Sequence, residues 1–147
     1  MPPARFAIDT SCMVAAVCSW HERHVEAAAE IDRRLEDGQR LYTPAPALVE
    51  AYAVLTRLPS PHRLSAADAW ALIDSNFVTG AIVVTLTADR YVDLVKRAAR
   101  LEIAGGRTYD VVIGECAREA NAHVLLTFNR RHFDPAPAGI TVVEPTG

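Results

Sequence analysis

The chain predicts an α/β domain built on a mainly parallel sheet, and three observations carry that prediction. Short apolar runs of strand length alternate with longer segments of helical periodicity along the whole sequence. The helical segments fall between the strands, where the crossovers that parallel neighbours require would lie. No internal repeat, linker or low-complexity tract breaks the alternation across 147 residues, so the expectation is one three-layer α/β/α domain over residues 1–147.

The elements follow in order. Phe6 to Asp9 is predicted as the first strand and Ser11 to Ser19 as a helix. From Glu22 to Leu35 charged residues interleave with Val25, Ala28, Ala29, Ile31 and Leu35, the pattern of an amphipathic helix, and Asp37-Gly38 ends it. Arg40 to Thr43 reads as a short strand. Pro44 to Arg57 reads as a helix opened by proline, which is tolerated where the first turn has no intrahelical use for an N–H, and Leu58-Pro-Ser-Pro61 stops it. Ser65-Ala-Ala-Asp68 is a capping-box variant, with Asp where Glu is commoner, and leads a helix over Ala66 to Asn76. Ala81-Ile-Val-Val-Thr85 has the β-branched content of a buried strand, and Ala88 to Leu101 is a helix ending near Gly105-Gly106. Asp110 precedes a helix over Val111 to Ala120. His123 to Thr127 and Ile140 to Val143 are the last two strands, separated by a Pro-rich loop.

Composition narrows the function classes. Half of the residues are hydrophobic and 22% are charged, as expected of a globular chain with a core. The longest nearly apolar run, Phe77 to Leu86, is about half of what a spanning helix needs, and no basic-then-apolar signal opens the chain, so a cytoplasmic location is expected. Cys12, Cys18 and Cys116 lack Cys-x-x-Cys spacing and read as small core residues. Lys96 is the only lysine among 15 basic residues. A net charge of −3 argues against broad electrostatic binding of nucleic acid, so any RNA contact requires a local basic patch or a metal.

Three acids stand in settings that packing alone would not choose. Asp9 ends the first strand, where ligands collect in α/β sheets. Glu50 sits in an apolar helical segment with Ala47, Ala51 and Val54 around it, and Asp110 opens another apolar segment. Each has a plainer role open to it: Asp9 as a helix N-cap, Asp110 as a partner of a helix N-terminus, Glu50 as an exposed residue where the helix face turns. Taken together they suggest a metal site. Clustered carboxylates repel unless a cation or protons intervene, and carboxylates without His or Cys partners select a hard ion such as Mg2+ or Mn2+ over zinc. Such ions orient water for attack on a phosphodiester, and hydrolysis of a nucleic-acid backbone is the chemistry expected.

Ile8-Asp9-Thr10-Ser11, Leu48-Val-Glu50, Tyr109-Asp110 leading into Ile113-Gly-Glu-Cys-Ala117, and Leu126-Thr-Phe-Asn-Arg-Arg-His-Phe133 resemble, in order and spacing, the successive motifs of PIN-domain ribonucleases. The small size and the last motif resemble the VapC toxins of bacterial toxin–antitoxin pairs. That resemblance implies an endoribonuclease dependent on Mg2+ or Mn2+, usually a homodimer, neutralised by a VapB-like antitoxin whose C-terminal segment covers the acidic site. Carried over by position, Asp9, Glu50 and Asp110 match the acidic metal ligands, and Ser11 and Thr127 match supporting hydroxyls. Asn129 departs from the pattern, standing where many members have a fourth Asp. It can orient water but adds no charge, which implies one firmly bound ion, with a second recruited only together with RNA as the alternative. Asp134 is placed to serve the turn before Pro135.

Arg107, Arg130 and Arg131 flank the motifs and are the candidates for RNA phosphates, with plain surface charge as the alternative. His21 and His24 lie three apart on a predicted helix without a third ligand, and read as surface residues; His123 and His132 read as structural. Trp20 and Trp70 read as core or interface anchors rather than base-stacking platforms. Helical segments Val25 to Leu35 and Ala66 to Phe77, the latter with Trp70 and Phe77, carry apolar surface to pair chains or hold an antitoxin helix, with burial in the core as the alternative for either. Among other classes, phosphatases with an aspartate nucleophile and receiver domains need a second acid near Asp9 and a suitably placed Lys, and neither is present. No Gly-x-Ser-x-Gly elbow or phosphate-binding Gly-Lys-Ser/Thr loop occurs either. The rival from another class is a catalytically silent PIN-like module for RNA or protein binding, which Asn129 keeps open.

Overall fold

A computed structural model describes residues 2–146. Five strands, β1 (Arg5–Ile8), β2 (Arg40–Pro44), β3 (Ile82–Val84), β4 (Val124–Leu126) and β5 (Thr141–Val143), form one sheet in the order β3-β2-β1-β4-β5, and every neighbouring pair is parallel. Six α-helices connect them: α1 (Thr10–Val17), α2 (His24–Glu36), α3 (Ala45–Thr56), α4 (Ala66–Ile73), α5 (Ala88–Arg100) and α6 (Arg107–Glu119).

Strand order fixes where the helices go. The chain moves outward from β1 through β2 to β3 and then returns to add β4 and β5 on the other side of β1. Right-handed crossovers that advance in opposite directions place their helices on opposite faces. Helices α1 to α4 therefore cover one face and α5 with α6 the other. The packing agrees. Phe6, Ile8, Met13, Leu55, Phe77 and Leu125 belong to the main core, and Leu86, Leu94, Val112 and Cys116 form a smaller apolar cluster. The α/β fold expected from the sequence is the fold found, with the reversal of direction lying between β1 and β4, where a parallel sheet opens a crevice at its carboxyl end.

Several local readings need correction. Ala81 to Thr85 predicts a buried strand, yet β3 is a three-residue edge strand with Ile82 and Val83 exposed, because the chain turns back after it instead of adding a neighbour. Helix α6 starts at Arg107, right after Gly106, so Asp110 lies inside its first turn rather than ahead of it. Helix α4 ends at Ile73 and continues as a wider π turn over Asp74–Val78. That turn carries Phe77 into the core, 1% exposed, so Phe77 contributes nothing to a pairing surface. Trp20 and Trp70 are 46% and 54% exposed, which removes the core reading of both. Cys12, Cys18 and Cys116 are free and buried, as expected. Among the described residues, no helix is long and apolar enough to cross a membrane.

Candidate active site

The end of β1 delivers Asp9 to the crevice. Its backbone N–H still pairs with the Leu126 carbonyl at 3.0 Å, in register with β4, while its side chain has already become the N-cap of α1. The Cys12 N–H donates to Asp9 Oδ1 at 3.0 Å and the Ser11 hydroxyl to the same oxygen at 2.7 Å; the Thr127 hydroxyl donates to Oδ2 at 2.5 Å. Both hydroxyls are oriented from behind. Phe128 N–H donates to Ser11 Oγ at 3.1 Å and Asn129 N–H to Thr127 Oγ1 at 2.8 Å, occupying a lone pair on each and leaving its proton for the carboxylate. Two amides leaving β4 thus hold Asp9 through two hydroxyls. Capping and site roles coincide in this residue.

Burial dominates its acidity. Asp9 is 1% exposed, and desolvation lifts its pKa from 3.8 to about 6, against the opposing pull of Thr127, Ser11 and Cys12; the field of Asp110 adds to the rise. Asp110 is shifted up as well, again chiefly by burial. The hydrogen bond and charge of His132 lower it, Glu50 raises it and Arg107 lowers it. Asp110 is thus the acid whose charge acts on Asp9, and Glu50 in turn acts on Asp110.

They also share one space. A cavity of about 770 Å³ is lined by Asp9, Ser11, Glu50, Asp110, Asn129 and Arg107, and additionally by His21, Arg23, Phe128 and His132. Glu50 reaches it half-buried from the middle of α3, and Asp110 from the first turn of α6. Thr127 stands just behind, fully buried. Arg130 and Arg131 lie on the short 3₁₀ turn Arg130–Phe133, exposed and outside the lining, and Asp134 is outside it too. Of the three arginines proposed for RNA, Arg107 alone faces the cavity.

His21, Glu22, Arg23 and His132 line the cavity although the sequence reading leaves them outside the site. His132, read there as structural, places Nδ1 2.7 Å from Asp110 Oδ2, so with Asp110 ionised Nδ1 is the donor. Its position three residues beyond Asn129, in the same motif, was the available signal. Arg23 lies 4.2 Å over the Phe128 ring and donates to the Pro145 carbonyl at 3.1 Å, which no local pattern reveals. His123 is structural, its Nδ1 accepting the Arg5 N–H at 3.1 Å.

Among the described residues, no three His, Cys, Asp or Glu side chains are drawn together tightly enough to hold an ion as they stand. Asp9, Glu50 and Asp110 line one cavity together with a fourth carboxylate, Glu22. The donor set is nonetheless all carboxylate oxygen, the kind hard divalent cations take, with Oδ2 of Asp9 and both oxygens of Glu50 available to them.

The PIN domain family model matches residues 6–137. The chain belongs to the PIN domain family. Ribonuclease VapC40 of Mycobacterium tuberculosis is 40% identical over 119 residues, covering 81% of this chain and 83% of its own. Ribonuclease VapC27 of the same species is 31% identical over 142 residues, 97% of this chain and 96% of its own. Among solved structures, Mycobacterium tuberculosis VapC20, described as a sarcin-ricin loop cleaving toxin, superposes with a TM-score of 0.68 at 19% identity, covering 92% of this chain and 98% of that one. VapBC2 of Rickettsia felis, solved with a DNA fragment from its promoter, gives 0.66 at 15% identity, covering 97% and 99%. At these identities the structures attest the shared PIN fold.

Proposed function

We propose that this PIN-domain protein is an endoribonuclease of the VapC toxin type, dependent on Mg2+ or Mn2+ and neutralised by a cognate antitoxin. The observation that carries the reading is the meeting of Asp9, Glu50 and Asp110, distant in sequence, in one cavity at the point where strand order reverses. Relatives named as VapC ribonucleases at 40% and 31% identity support the substrate class, and neighbours solved as VapBC complexes support an antitoxin partner.

Asp9, Glu50 and Asp110 would hold the cation, which supplies charge neutralisation at a phosphate and a water more readily deprotonated. Asp9 is the fixed ligand, since three donors and two amides set its orientation. Glu50, on a helix and only half-buried, is the adjustable one. Ser11 and Thr127 act through Asp9 as positioning residues. Asn129 offers an amide to orient water without adding charge. Arg107 is placed to receive a phosphate at the cavity, and Arg130 and Arg131 to extend that contact along the following turn. Exposed Val49, Tyr52 and Tyr109 give apolar surface beside α3 and α6 for a homodimer, in addition to Trp70 and Val25. A cytoplasmic site of action accords with this reading.

The test is cleavage of total bacterial RNA by purified protein with Mg2+ or Mn2+, beside a folded Asp110→Asn variant and an EDTA control. Discrete fragments that need both metal and Asp110 support the proposal. A folded, metal-supplied protein that cuts nothing would favour the silent module instead, with Asn129 as the reason. A light-scattering mass of one chain at working concentration would end the homodimer assignment.

A further inference from the structure

An aromatic run leads out of the acidic cavity. Trp20, in the turn between α1 and α2, stacks on His62, in the turn between α3 and α4, with ring centroids 4.0 Å apart and planes at 21°. His21, which lines the cavity, borders the same indole at 5.8 Å and 42°. His62 covers one face of Trp20, yet the residue remains 46% exposed, which leaves the indole open to a further partner. Packing accounts for the covered face only, and the open one forgoes the burial that makes tryptophan valuable in a core.

Both turns are held in place. His21 N–H donates to the Cys18 carbonyl at 2.9 Å and His24 N–H to the His21 carbonyl at 3.0 Å; His62 N–H donates to the Pro59 carbonyl at 2.9 Å, and Leu64 N–H to the Leu55 carbonyl at 3.1 Å. A ring presented this way is preorganised for a flat ligand.

We propose that the open face of Trp20, backed by His62, is a subsite for an unpaired nucleobase of the RNA strand whose backbone enters the cavity. The assignment rests on the ribonuclease reading above. Its physical reason is the charge of the site: the carboxylates of Asp9, Glu22, Glu50 and Asp110 face the phosphates, the chain carries a net charge of −3, and Arg23 and Arg107 are the arginines in the lining. Contacts that do not depend on charge then add to the affinity the arginines supply. Stacking on an indole is such a contact, tolerates any base, and requires that the base be unpaired.

The experiment uses the full chain in a Trp70→Phe background, which leaves Trp20 as the one indole. Fluorescence is followed while a short single-stranded oligoribonucleotide is added in EDTA, and then oligonucleotides in which one abasic position is walked along the strand. Trp20 emission is expected to quench, and to stop quenching when one particular base is missing. Trp20→Ala is expected to raise Kd by roughly 5- to 150-fold and Trp20→Phe to recover most of that loss, with melting temperatures unchanged. Unchanged emission at saturation, wild-type affinity in Trp20→Ala, or equal quenching by a duplex of the same sequence overturns the subsite. If Trp20→Ala does not fold, the emission series and Trp20→Phe decide alone. Protein that cuts RNA but fails these tests loses the subsite and keeps the nuclease reading; protein that quenches but never cuts does the reverse.

Discussion

Replacing Asp9 by Asn is expected to stabilise the metal-free protein. A carboxylate that titrates at about 6 when folded and 3.8 when unfolded binds more protons in the folded state between those values. By linkage, stability is then highest below pH 4 and falls as pH rises through about 6, reaching a penalty of about 3 kcal/mol at neutral pH, at about 1.4 kcal/mol per tenfold change in proton affinity. The Asp9→Asn substitution removes the charge and retains an oxygen for the Cys12 N–H and the Ser11 hydroxyl. On the other side the new amide meets the Thr127 hydroxyl, which must turn its proton away, a loss of about 1 kcal/mol. The net gain is about 2 kcal/mol, or roughly 4–8 °C in Tm for a chain of this size. The assay is thermal melting of both proteins in EDTA at pH 8 and pH 5. The Asp9→Asn variant should melt higher at pH 8, the gap should narrow sharply at pH 5, and Mg2+ should raise the wild type alone. A variant less stable by the same amount at both pH values would refute the reasoning and reduce Asp9 to a helix cap.

The remaining expectations concern the supports of the site. Thr127→Val keeps the shape of a fully buried side chain but strips Asp9 Oδ2 and the Asn129 N–H of their partner; a denaturant titration should show a loss of about 1–3 kcal/mol. Glu30 is buried in α2 beneath Arg33 at 2.5 Å and Arg34 at 2.8 Å, outside the cavity lining, so Glu30→Ala should cost about 3 kcal/mol in the same titration and leave RNA cleavage per folded molecule intact. Arg130→Ala with Arg131→Ala should weaken RNA binding and reduce its salt dependence without changing Tm; unchanged affinity would remove both residues from the RNA path.

Strands and helices were legible because period and punctuation agree over most of the chain: Gly38, Pro44 and Ser65 all mark boundaries close to where they fall. The site was legible through Asp9, Glu50 and Asp110, whose polarity conflicts with their apolar neighbours. Position in the sheet was less so. A run such as Ala81 to Thr85 has the same composition in the middle of a sheet as at its edge, and only the reversal of strand order decides. Between pairing surface and core, a π turn that rotates the helix face decides for the core at Phe77, and the core reading of Trp20 fails because its partner His62 comes from another connection. His132 was missed for a different reason: its role depends on where Asp110 points, a matter of tertiary geometry.

The double hydroxyl clasp on Asp9 has a consequence for the timing of synthesis. Thr127 lies 118 residues after the carboxylate it holds, and the amides that orient both hydroxyls follow Thr127 directly. A nascent chain makes Asp9 well before Thr127, and until β4 emerges and docks against β1 only the neighbouring Ser11 and Cys12 can hold the carboxylate. Contacts so distant along the chain form late and slowly. For a protein that cuts RNA, the order of assembly is a safeguard in itself: the carboxylate at the centre of the cavity is not fully clasped until β4, more than a hundred residues on, has been made.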